Sequence, residues 1–251
     1  MISFNADQRI LVTGASSGIG EAIALELNAL GATVIANGRN REKLEAGKAR
    51  AAHPEQFHVE PLDLTADMES LPLWIKSLRE RHGKLGGLAH AAGATMTAPL
   101  REYELSAARG LFDLLFHVPM LLAKGFADRR NNVGKGASMV FIGAAGAVNP
   151  VPSLLIYSSA KSALLTAARC ISKELAPQGI RVNCVSPALV KTAMQHEYAN
   201  LLGSDAFAQV EQSYPLGLGE PDDVAGAVAY LLSDRAKWVT GQNMLLSGGW
   251  G

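Results

Sequence analysis

The stretch Thr13-Gly14-Ala15-Ser16-Ser17-Gly18-Ile19-Gly20 decides how the rest of the chain is read. It follows the short apolar run Ile10-Leu11-Val12 and leads into a helical pattern over residues 20–30, where Ile23, Leu27 and Leu30 recur on one face before Gly31 stops it. Glycines at Gly14, Gly18 and Gly20 let a chain leaving a strand turn tightly and bring backbone N–H groups against a phosphate. A helix N-terminus favours that negative charge. A glycine triplet standing alone also makes a plain strand-to-helix turn, so its meaning depends on what surrounds it.

Six further apolar or β-branched runs follow, over residues 33–36, 57–60, 88–90, 139–142, 181–185 and 243–246. They are separated by crossover lengths, which predicts an α/β fold: a Rossmann-like, doubly wound parallel sheet of about seven strands with helices on both faces. No repeat or linker interrupts residues 1–251, so a single domain is expected, with the Asn/Gly-rich residues 131–136 as a loop. Residues 187–218, carrying Tyr198 and Phe207, show the weakest periodicity. They follow the sixth strand, where open α/β sheets place their ligands, and are expected to form a substrate lid.

Composition narrows the function classes. Of 251 residues, 48% are hydrophobic and 18% charged, which is a globular balance. Lys plus Arg and Asp plus Glu number 23 each, leaving no basic footprint for nucleic acid. The start of the chain has no basic-then-apolar leader pattern, and no run of 18 residues escapes polar interruption, so a cytoplasmic location without membrane partners is expected. Cys170 and Cys184 lack metal-ligand or redox spacing and read as buried thiols. None of the six histidines forms a ligand pair, so no metal is expected, and His117 reads as structural or interfacial.

A second constellation lies downstream. Tyr157 and Lys161, in Ile156-Tyr157-Ser158-Ser159-Ala160-Lys161, stand four residues apart at the start of a helical pattern, which puts phenol and ammonium on one face. A nearby cation lowers a tyrosine pKa while burial raises it, and such a pair can exchange a proton with a carbonyl or alcohol oxygen.

Taken together, the T-G-x-x-x-G-x-G turn, Leu62-Asp63-Leu64-Thr65, His90-Ala91-Ala92-Gly93, Tyr157 with Lys161, and the segment from Asn183 through Pro187 to Thr192 resemble the short-chain dehydrogenase/reductase family. Within it they resemble the 3-oxoacyl-acyl-carrier-protein reductase-like branch, over about residues 8–251. The resemblance implies reversible hydride transfer between a nicotinamide dinucleotide and a ketone or secondary alcohol, with Tyr157 as proton donor and Lys161 holding the ribose. It implies dinucleotide contacts from Gly14, Ser16, Ser17, Gly18, Ile19 and Gly20, then from Asp63 and Leu64 to the adenine and from Ala91, Ala92 and Gly93 along the adenosine. Pro187, Val190 and Thr192 would hold the carboxamide, although Ala188 replaces a family glycine.

NAD-dependent relatives carry an acid where Gly38 stands. Arg39 beside it offers a guanidinium suited to a 2′-phosphate, so NADP(H) is expected over NAD(H), with Ser16 and Arg39 as contacts. The substrate would be a small-molecule or acyl-thioester carbonyl or alcohol. Because relatives pair the helices around Leu115 and Tyr157, a homodimer or homotetramer is implied.

Two positions depart from the family. Its carbonyl-orienting serine, thirteen residues before the tyrosine, is Ala144, and its proton-relay asparagine is Leu115. Losing one such donor costs on the order of 10²–10³ in turnover. Gly143 and Ala145 cannot substitute, whereas Ser153 is near enough in sequence to reach the pocket. The readings left open are a slow or specialised reductase, a nucleotide-binding scaffold or partner protein with impaired catalysis, and an engineered Ser-to-Ala exchange in an active reductase.

Overall fold

The computed structural model describes residues 1–251, the side chain of Glu197 excepted. Strands β1 (Arg9–Thr13), β2 (Thr33–Gly38), β3 (Phe57–Pro61), β4 (Leu85–His90), β5 (Ser138–Ile142), β6 (Arg181–Pro187) and β7 (Asn243–Leu246) form one sheet. All pairs are parallel, in the order β3-β2-β1-β4-β5-β6-β7. Successive strand side chains point to opposite faces, so β1 sends Ile10 and Val12 to one core and Leu11 to the other, and β2 divides Val34 and Ala36 from Ile35 in the same way.

Helices α1 (Gly18–Ala29), α2 (Arg41–Arg50), α3 (Leu71–His82), α4 (Leu105–Phe112), α5 (Val118–Ala127), α6 (Leu155–Leu175), α7 (Ala193–Leu202), α8 (Ser204–Gln212) and α9 (Pro221–Leu232) surround it. The first core takes Ile23 and Leu27 of α1 with Val224 and Val228 of α9. The second takes Ile75 and Leu78 of α3, Leu122 and Phe126 of α5 and Leu164 of α6. The helical stretch Leu105–Ala127 is long and apolar enough by composition to cross a membrane, yet its second half packs under the sheet through Val118, Leu122 and Phe126, each 0% exposed.

Three sequence expectations need correction. Helix α1 begins at Gly18 rather than Gly20, because the turn itself supplies the first helical residues. Residues 187–218 are not irregular: Thr192 caps α7 and Gly203, at φ +81°, separates it from α8. Each helix is short and partly exposed, so neither leaves a long apolar stripe to read. Cys170 is exposed while Cys184 is buried. Helix α6 turns Leu164, Ala168, Ser172 and Leu175 inward, and Cys170, two residues beyond Ala168, falls on the outer side.

Candidate functional site

The strand order reverses between β1 and β4, opening a crevice at their carboxyl ends. Gly14 turns there at φ +70° and Gly18 at φ +56°. A side chain at Gly14 would lie 2.7 Å from the Ala92 backbone nitrogen, and one at Gly20 would overlap the Gly14 carbonyl. Helix α1 starts directly from this turn, and the Ser17 side chain makes no capping bond to it. Its first N–H groups therefore take no bond from a capping side chain, which fits a helix N-terminus left free for a pyrophosphate.

Thr13 ties the turn to the next loop. Its Oγ1 accepts from the Ala92 N–H at 3.4 Å and lies 2.8 Å from His90 Nδ1, while the Ala91 N–H donates to the Thr13 carbonyl at 3.2 Å. The other ring nitrogen, His90 Nε2, is buried without a partner. Burial, with the Lys161 charge adding to it, depresses the His90 pKa to about 3, so the ring is neutral.

At the end of β2, Gly38 lets the backbone lie against Ser16, whose Oγ is 3.0 Å from where a Cβ would be. Arg39 is exposed beside it. Asp63 Oδ1 accepts from the Thr65 hydroxyl at 2.7 Å and the Thr65 N–H at 2.9 Å. These bonds lower its pKa, with a smaller contribution from the Arg39 charge, and keep a carboxylate just past the end of β3. Leu64 is buried beneath it.

A cavity of about 310 Å³ continues the crevice under α7 and α8. It brings together Ile19, Ala91, Gly93, Pro187, Val190 and Thr192 with Tyr157, Lys161 and Ala144. Lys161 is 4% exposed, donates from Nζ to the Ile142 carbonyl at 2.6 Å, and lies 6.0 Å from the Tyr157 ring centroid. Burial lowers its pKa to about 8. The Tyr157 phenol moves the other way from the sequence expectation: burial pushes it up to about 12, and no lowering by the lysine offsets that. In this geometry Tyr157 is a protonated acid facing the cavity.

The two departures are placed differently from each other. Ala144 stands on the cavity wall, so a missing hydroxyl there is missing from the site itself. Leu115 lies behind the wall, fully buried in a π-helical turn (Asp113–His117) between α4 and α5, where its Cδ2 packs 3.3 Å from the position of a Cβ on Gly93. Ser153 does not line this cavity. Its backbone sits at φ +67° and it faces a separate, smaller pocket with Met96 and Tyr103, so it is no substitute donor.

Sequence reading missed Thr95, Gln195, Ser213, Tyr214 and Trp250, all on the cavity wall. One signal was available: Thr192 followed three residues later by Gln195 is a helix-start pattern, and Thr192 Oγ1 accepts from the Gln195 N–H at 3.4 Å.

A glycine-turn dinucleotide crevice that opens onto a Tyr/Lys pair defines the nicotinamide-dependent oxidoreductases of this fold. The family model for enoyl-(acyl carrier protein) reductases matches residues 14–251. An uncharacterized oxidoreductase of Methylorubrum extorquens is 35% identical over 95% of this chain and 96% of its own. The vibriobactin-specific 2,3-dihydro-2,3-dihydroxybenzoate dehydrogenase of Vibrio cholerae is 32% identical over 97% of this chain and 95% of its own. Among solved structures, a short chain dehydrogenase from Burkholderia cenocepacia in complex with NADP superposes with a TM-score of 0.88 at 27% identity, covering 97% of this chain and 98% of that one. The chain belongs to the short-chain dehydrogenase/reductase family, and it is an oxidoreductase of the alcohol/ketone type.

Proposed function

We propose that the protein interconverts a ketone and a secondary alcohol with NADP(H) in preference to NAD(H), at a rate held down by the loss of the position-144 hydroxyl. The observation that carries this reading is one continuous cavity wall: Ile19, Val190 and Thr192, assigned to the nucleotide, share it with Tyr157 and Lys161. When bound, the nicotinamide supplies or takes the hydride. Gly14 through Gly20 would bind the pyrophosphate, Asp63 and Ala91 to Gly93 the adenosine, and Pro187, Val190 and Thr192 the carboxamide.

In reduction Tyr157, protonated because its burial holds the pKa high, gives its proton to the carbonyl oxygen. Lys161, anchored on the Ile142 carbonyl, holds the ribose and, once charged, steadies the phenolate. With Leu115 in the relay position, Tyr157 regains its proton through the open side of the cavity, since a leucine bonds no water. Without a hydroxyl at 144 the carbonyl oxygen has one donor fewer, a loss on the order of 10²–10³ in turnover.

NADP(H) preference rests on Gly38 and Arg39: position 38 carries no carboxylate to repel a 2′-phosphate, and the exposed Arg39 guanidinium beside it would suit one. Fluorescence titration with NADPH and NADH tests it. Micromolar NADPH binding at least tenfold tighter than NADH is expected; binding of neither would overturn the reductase reading.

The competing reading, a nucleotide-binding scaffold with impaired chemistry, is favoured by Ala144 and Leu115 together. Ketone reduction that stays absent in Ala144→Ser would support it. The exposed Leu105 and Leu155, on α4 and α6, are proposed to be covered by a second copy, as the family resemblance implies. Sedimentation of the free protein as a monomer would refute that pairing.

A further inference from the structure

Gln195 is the buried polar side chain of the cavity that the reaction leaves unused. It is 7% exposed and sits at the third position of α7, set there by the Thr192 cap. A glutamine at that position ordinarily folds back to bond the cap residue's backbone N–H. Here, among the described residues, its amide makes no hydrogen bond, and neither amide atom is sealed away in the interior. The space it faces is the cavity of Tyr157 and Ala144.

Other polar groups of the wall are engaged. Lys161 donates to the Ile142 carbonyl and Ser213 Oγ to the Val210 carbonyl at 2.6 Å. An amide with both donor and acceptor unpaired by the protein and open to a cavity is placed to bond a ligand there.

The rest of the wall says what kind of ligand. Among the described residues Lys161 is the one charged lining group, and it is already bonded to the protein. A carboxylate or phosphate on the substrate would lose its water with no free countercharge to meet it. Tyr214 and Trp250 stack with ring centroids 5.9 Å apart and planes at 9°, giving the cavity a flat aromatic side. Gly143, Ala144, Ala145 and Gly146 add a small, uncharged stretch to the same wall.

We propose that Gln195 determines substrate specificity: the cavity takes an uncharged, ring-bearing ketone or alcohol carrying a second, neutral hydrogen-bonding group, which the Gln195 amide holds from the lid. This inference rests on the reductase reading above. It makes Gln195 a binding residue rather than one that touches the reacting atoms.

The test is calorimetric binding to NADP⁺-saturated protein, in which a ketone cannot react. The ligands are 2-tetralone, its 5-, 6-, 7- and 8-hydroxy derivatives, and its 6-carboxylate. The best hydroxy derivative is expected to bind about tenfold tighter than the parent, the size of one neutral hydrogen bond, and the carboxylate more weakly than either. Gln195→Met, similar in shape and a good helix former, is expected to erase the hydroxyl advantage. In the ligand-free protein it should leave the melting temperature within about a degree or two, because the amide makes no bond among the described residues for the substitution to remove.

Tightest binding by the carboxylate, a hydroxyl advantage that survives in Gln195→Met, or no binding by any tetralone to nucleotide-loaded protein would overturn the assignment while leaving the reductase reading standing. Failure of the nucleotide itself to bind would overturn both. A Gln195→Met protein that melts well below the parent would show that the amide is structural, which also overturns the inference.

Discussion

The two halves of the crevice are made from the ends of the same parallel sheet, yet they differ in what they can lose. The nucleotide half is made of backbone: Gly14 lies hard against Ala92, and Gly20 against the Gly14 carbonyl, so any added atom has nowhere to go. The catalytic half depends on a few side-chain functional groups. There, Ala144 and Leu115 stand where the family carries a hydroxyl and an amide, and the fold has absorbed both. Ala144 is simply smaller at the cavity wall, and Leu115 packs fully buried behind Gly93. Chemistry carried by side chains can be removed without disturbing packing, whereas a binding loop carried by backbone geometry cannot.

The largest effect that would sharpen this contrast is Tyr157→Phe. Removing the proton donor should lower kcat by roughly 10²–10⁴ and leave NADPH affinity within a few-fold, read by steady-state kinetics beside a binding titration. Equal losses in both would merge the two halves. Next, Ala144→Ser should raise ketone reduction on the order of 10²–10³, since it restores one donor on an otherwise complete wall. A gain below tenfold would mean that more than the serine has been lost.

Gly20→Ala should act on the other half, weakening NADPH binding by about two orders of magnitude, or about 2.7 kcal/mol. Circular dichroism separates that loss from unfolding. Unchanged affinity would show that the turn yields after all.

His90 gives the contrast a pH signature. Burial holds its folded pKa near 3, against an ordinary value of 6.5, so below pH 6.5 the unfolded chain binds a proton that the folded chain refuses. Stability contributed by the neutral ring is complete above pH 6.5 and is lost as pH falls toward 3, by about 2 kcal/mol at pH 5. Urea unfolding at pH 7 and pH 5 should show this fall, and His90→Asn should flatten it. An equal slope in the variant would place the acid sensitivity elsewhere. The smallest expected effect is Arg39→Ala: about a tenfold loss in NADPH affinity with NADH unchanged, because the group is exposed and its charge is screened.

Much of this protein was determined by sequence alone. The seven strands, the glycine turn and the Tyr157/Lys161 pair are patterns within a few consecutive residues, and local rules of alternation, helical spacing and turn geometry make them legible. Strand ends were under-read where glycines such as Gly86 and Gly87 dilute the apolar run, and helices α7 and α8 were missed because each is short and partly exposed.

What only the tertiary structure decided depends on distance and burial between residues far apart in the chain. Ser153 faces a different pocket from Tyr157 although four residues separate them. Burial holds the Tyr157 pKa up, with no lowering by the lysine four residues on. Cys170 faces outward because one helix has only one inner side. Gln195, unremarkable in sequence, shares a cavity wall with Tyr157 and Ala144 because α7 folds back over the strand ends. Desolvation and cross-chain proximity are properties of the folded packing, and they set this site's chemistry where local pattern does not.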